Sequence, residues 1–73
     1  MDYRKMRVLL RQWRIDAGLT MRSLGERLQK PASYVYKVEV GGRRIDPLEF
    51  IQWCKACGVD PVKKLQECLT SSR

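Results

Sequence analysis

The sequence contains no histidine, only three prolines and five glycines in 73 residues, and no apolar run near the length of a membrane span. The missing histidine removes the usual partner of a nucleophilic Ser or Cys. A catalytic pair would have to be Cys-Lys or Ser-Lys, and nothing in the pattern marks a pocket for one. It also weakens metal binding. Three cysteines cannot close a tetrahedral set without a carboxylate or a second chain. No catalytic residue, metal or cofactor is therefore assigned, and an enzyme is not expected. The scarcity of Gly and Pro, with 44% hydrophobic residues, excludes a disordered chain. The absence of a membrane-length run, and of a signal-peptide pattern at the start, gives the cytoplasm as the expected location. An odd cysteine count (Cys54, Cys57, Cys68) argues against a secreted disulfide framework and for small buried thiols. The length allows one domain, residues 1–73, with one modest core and little room to enclose a cleft or a small-molecule site.

What is present is positive charge, unevenly placed. The net charge is +7. Residues 1–44 hold eleven Lys or Arg against Asp2, Asp16, Glu26 and Glu39, whereas residues 45–73 hold four of each sign. All the excess lies in the first 44 residues. Such a field attracts a polyanion: DNA, RNA or an acidic membrane surface. The same charge would also serve solubility alone.

Punctuation at Ala17-Gly18, Lys30-Pro31, Gly41-Gly42, Asp46-Pro47 and Gly58 to Pro61 divides the chain into five short helical pieces. The first runs from Tyr3 to Ala17, with Asp2 as its cap and Met6, Leu10, Trp13 and Ala17 as its inward stripe. Gly18 ends it. Thr20 caps a second helix over 21–28, with Leu24 and Leu28 inward. A third begins at Pro31 or Ala32 and ends before Gly41, with Val35 and Val38 inward. Asp46 and Pro47 open a fourth that reaches Cys57 and buries Phe50, Ile51, Cys54 and Cys57. Asp60-Pro61 opens a fifth to about Leu69, with Leu65 and Leu69 inward. The tail from Thr70 is expected to fray. The fold class is all-α.

Between residues 20 and 40 the pattern meets the demands of two helices crossed through a tight turn. Gly25 sits mid-helix, where it costs about 1 kcal/mol relative to alanine. Close approach by the following helix would offset that cost. Gln29-Lys30-Pro31 makes the turn, and apolar pairs flank it. A helical hairpin in any small bundle would show similar features.

Three segments carry a family resemblance. Trp13-Arg14-Ile15-Asp16-Ala17-Gly18-Leu19-Thr20, Ser33 through Gly41 with Arg43 and Arg44 after it, and Lys55 through Asp60 together resemble the Cro and phage-repressor type of helix-turn-helix family, often called XRE-like. The resemblance spans about residues 6–69. It implies a five-helix, lambda-repressor-like domain whose recognition helix, about 32–40, enters the major groove of double-stranded DNA. It places Ala32, Ser33 and Lys37 on base-reading positions, with Tyr36 beside them. Lys37 can donate to guanine, Ser33 can bond several bases, and Ala32 can touch a thymine methyl. Tyr34 is left open between that contact surface and packing at the junction of helices two and three. Phosphate contacts are expected from Thr20 and the opening of helix two, from Arg22, and from the loop carrying Arg43 and Arg44. The resemblance further implies an ion pair between Arg14 and Glu39, and a homodimer through the C-terminal helix (Val62, Leu65, Leu69) on a palindromic operator. Burial of those apolar residues inside one domain is the competing reading.

The sequence departs from the family in four places. Met21 stands where members commonly hold a Gln that reads bases and clamps phosphate, and Met has no donor. Gln29 stands for a turn glycine, Lys30 for a valine, and Pro31 for a Ser or Thr cap. These touch the phosphate clamp rather than the fold.

Cys54-Lys55-Ala56-Cys57 matches a redox C-x-x-C, but it lies near the end of a helix in a chain without clear strands, so structural thiols are the better reading. The functional expectation is a sequence-specific transcriptional regulator, a repressor before an activator. The alternatives are a protein-interaction module such as an antitoxin or adaptor, and a nonspecific nucleic-acid binder.

Overall fold

The computed structural model describes residues 3–70, and five helices follow one another with no strand among them: α1 (Tyr3–Asp16), α2 (Met21–Leu28), α3 (Ala32–Val40), α4 (Pro47–Ala56) and α5 (Pro61–Thr70). The expected all-α, five-helix architecture is present. The expected cap Asp2 and the tail beyond Thr70 lie outside the described residues.

Caps set the boundaries. Thr20 Oγ1 accepts from the Ser23 amide while Ser23 Oγ accepts from the Thr20 amide, a reciprocal box at the start of α2. Asp46 and Glu49 repeat it at α4, with Pro47 in the first turn. Gln29 closes α2 in the left-handed region (φ 58°), as the missing turn glycine requires. Pro31 opens α3 without a side-chain cap, and Gly41 closes it at φ 86°.

All five helices contribute to the core. Leu10, Leu24, Val35, Val38, Trp53, Cys54 and Cys68 are fully buried, with Trp13, Leu19, Phe50 and Cys57 nearly so. Each large side chain removed from water contributes about 1.5–3 kcal/mol. Trp53 Nε1 donates to the Leu10 carbonyl at 3.1 Å, satisfying the indole and tying α4 to α1. Trp13 meets Phe50 edge to face at 5.9 Å.

Four inward assignments are corrected. Ala17 is exposed, because Gly18 turns the chain left-handed and Leu19 swings into the place the stripe would have used. Ile51 is exposed, and Trp53 is the side chain that α4 buries instead. On α5, Leu65 and Leu69 are 44% and 59% exposed. That helix turns Cys68 inward, and Lys64 lays its stem along the core with Nζ 5.8 Å from the Trp13 ring. α5 packs mainly against α4 and α1, and Val62, Leu65 and Leu69 remain exposed.

Gly25 is required, though not by the body of a crossing helix. A Cβ there would lie 2.6 Å from the Lys30 carbonyl oxygen and 3.3 Å from the Pro31 carbonyl carbon. The Lys30 amide donates to the Gly25 carbonyl at 2.8 Å. The turn folds back onto α2, and this is what sets α3 across it.

Candidate nucleic-acid interface

α3 has two unlike faces. Val35, Val38 and Glu39 point into the molecule, whereas Ala32, Ser33, Tyr36 and Lys37 lie on its exposed side, Tyr36 at 54% exposure. Val40 continues that exposed line one turn on, an apolar member that the sequence reading omitted.

The inner face is fixed by charge as well as packing. Arg14 Nε and Nη2 reach the two Glu39 carboxylate oxygens at 2.7 and 3.1 Å, and Arg14 Nη1 donates to the Leu19 carbonyl at 2.8 Å. The side chains are only 10% and 2% exposed. The expected pair is thus formed, forked and satisfied, locking α1 to α3.

Basic groups rim the exposed face. At one end, the first helical bond of α2 runs from Leu24 to Thr20, so the Met21 and Arg22 amides stand at the helix opening, where an anion is favoured. The Thr20 hydroxyl itself is engaged by Ser23, and the Arg22 side chain is exposed. Met21 is half-buried against the core, as its lack of polar atoms dictates.

At the other end, the two arginines of the loop after α3 are held in different ways. The Arg43 guanidinium takes both Glu49 oxygens, at 3.1 and 2.8 Å, and lies 4.9 Å from the Tyr34 ring centre. Tyr34 is half-buried, donates to Glu49 at 3.2 Å, and has Lys30 near its ring at 5.5 Å. The hydrogen bonds from Arg43, together with the cap amide of Asp46, hold the Glu49 carboxyl down at about 2. Burial, and then the charge of Glu49, pushes the Tyr34 phenol up to about 12. Arg44 instead lies 4.5 Å from the Tyr3 ring of α1.

Tyr3, Arg7 and Glu49 had no assigned part in the site, and Tyr34, left open, packs on Arg43 and Glu49. The Asp46–Glu49 box was readable from spacing, but the long-range partners of Tyr3 and Arg7 were not. The three thiols are buried. Burial pushes Cys54 up to about 12, Cys57 up to about 11 and Cys68 upward, so none is a thiolate near neutrality.

A short helix crossed over its predecessor and bare on its outer side is the arrangement of a helix-turn-helix. The helix-turn-helix family model matches residues 10–64. The chain belongs to the XRE-like helix-turn-helix family. An XRE-family like protein from Pseudomonas syringae pv. tomato is 35% identical, with a TM-score of 0.91 over 97% of this chain and 87% of that one. The clp gene regulator ClgR from C. glutamicum is 26% identical, with a TM-score of 0.83 over 100% of this chain and 96% of the other. None of the curated proteins matches the chain significantly. As a member of this helix-turn-helix family, the protein is a DNA-binding transcriptional regulator by class. No helix among its described residues is long and apolar enough to cross a membrane.

Proposed function

We propose that the protein is a sequence-specific regulator, a repressor before an activator, that lays α3 in the major groove of an operator. One observation carries this reading: the face bearing Ala32, Ser33, Tyr36 and Lys37 is uncovered by the protein's own chain. Those four side chains read base edges, Lys37 preferring guanine and Ala32 a thymine methyl. Thr20, Arg22 and the loop arginines meet phosphates. Of the latter, Arg44 is the better placed, because Arg43 would have to keep or surrender its two bonds to Glu49 on contact.

One short helix reads few bases, so useful specificity calls for two copies on a palindromic site. Val62, Leu65 and Leu69 on α5 stay exposed, and beside them Pro47, Phe50, Ile51 and Pro61 line an apolar groove of about 310 Å³. This surface is the proposed homodimer contact.

Selection of bound duplexes from a random pool tests the reading. A palindromic motif with two half-sites is the expected outcome. Binding without sequence preference would assign the domain to nonspecific nucleic-acid binding. Weak binding with little salt dependence would favour a protein-interaction module, the reading that Met21 supports through its missing donor.

A further inference from the structure

Two residues of α1, four apart and so on one face, reach the loop that follows the recognition helix. Tyr3 Oη accepts from the Ile45 amide at 3.0 Å and donates to the Arg43 carbonyl at 3.4 Å. Its ring carries the Arg44 guanidinium at 4.5 Å. One turn further on, Arg7 Nη1 donates to the Val40 carbonyl at 3.0 Å, adding a cation at the C-terminal end of α3. Arg7 occupies the space a side chain would need at position 41, which lacks one. Residues 40–45 are therefore held from α1 at a backbone amide, two backbone carbonyls and one guanidinium.

We propose that Tyr3 is a positioning residue of the DNA interface: from the first turn of α1 it clamps the 41–45 loop and aims Arg44 at a phosphate. This rests on the DNA-binding reading above. The two loop arginines then divide the work. Arg43 braces the loop to α4 through Glu49, and Arg44 is the cation the loop offers outward. An unsupported arginine after two glycines would sample many conformers and forfeit entropy on binding. Stacking on a fixed ring removes much of that loss in advance.

The test compares the parent, Tyr3→Leu, Tyr3→Phe, Arg44→Ala and Tyr3→Leu/Arg44→Ala on one selected duplex across a salt series, with melting curves as the control for folding. Tyr3→Leu is expected to bind roughly tenfold more weakly and to lower the salt slope by about 1, as Arg44→Ala does, because one phosphate contact is lost. The double variant should be no worse than Arg44→Ala alone. Tyr3→Phe keeps the ring and should keep the slope, while its Ile45 amide exchanges with solvent at least tenfold faster. Parental affinity and slope in Tyr3→Leu, or additive losses in the double variant, would overturn the proposal. Should Tyr3→Leu fail to fold, unchanged Ile45 exchange in Tyr3→Phe overturns it equally. A parent that fails to bind duplex DNA would instead bring down the DNA-binding reading itself, and this proposal with it.

Discussion

Arg14 and Glu39 form the most consequential pair of side chains in the molecule. Both are nearly sealed from water, and the hydrogen bonds of their side chains run to each other and to the Leu19 carbonyl. Removing one partner leaves a charge with no solvent and no counterion. Glu39→Ala should lower stability by about 3–5 kcal/mol, a large share of the roughly 5–15 kcal/mol that holds a small domain. Chemical denaturation measures it, and a loss under about 1 kcal/mol would show that water reaches Arg14. The pair was legible only through resemblance. Hydrophobic periodicity counts apolar residues and has no means of marking a buried guanidinium. Glu49 is a second such centre, and its acid sensitivity has a definite sign. Its carboxyl is held down at about 2 in the folded chain, against about 4.3 in an unfolded one. The stability it contributes is complete above that upper value and fades as pH falls toward the lower one. Melting curves of the parent and Glu49→Gln should therefore stand apart at pH 5 and converge by about pH 2. Parallel curves would show that the carboxylate adds no folding free energy.

At the level of elements, the turn between α2 and α3 is governed by the backbone. Gly25→Ala gains about 1 kcal/mol of helix propensity, but its Cβ meets a carbonyl oxygen that cannot move without reopening the turn. A net loss of about 1–3 kcal/mol in denaturant melts is expected, with α3 displaced on its partner. A stabilised Gly25→Ala protein would mean that the turn has slack. Helix positions were plainly readable, because Thr20, Pro31, Asp46 and Pro61 punctuate the chain chemically. Helix faces were less so. On α5 the sequence favours Leu65 and Leu69 as the inward pair, yet Cys68 is the residue buried. A terminal helix that packs mainly against two neighbours has more apolar residues than inward positions, and the choice between them is made by tertiary fit around Trp13 and Trp53. The contacts of Tyr3 and Arg7 were hidden for a related reason. Their partners are backbone groups about 33–42 residues away, and a backbone group leaves no trace in the order of side chains.

For the whole molecule, the surplus apolar side of α5 bears on assembly. Leu65 and Leu69 are exposed in the single chain, so charging both should leave its fold within about 0.5 kcal/mol. In a homodimer the same change buries two charges from each copy. Leu65→Glu/Leu69→Glu should sediment as a monomer and lose on the order of 10²-fold affinity for a two-site duplex, while a single half-site is bound as before. Parental sedimentation would place the dimer contact elsewhere. A last consequence follows from the thiols sealed among the tryptophans. Burial raises all three, Cys54 to about 12 and Cys57 to about 11, so the sulfurs stay protonated around neutrality. A mild oxidant therefore finds no thiolate to attack there unless the core first opens.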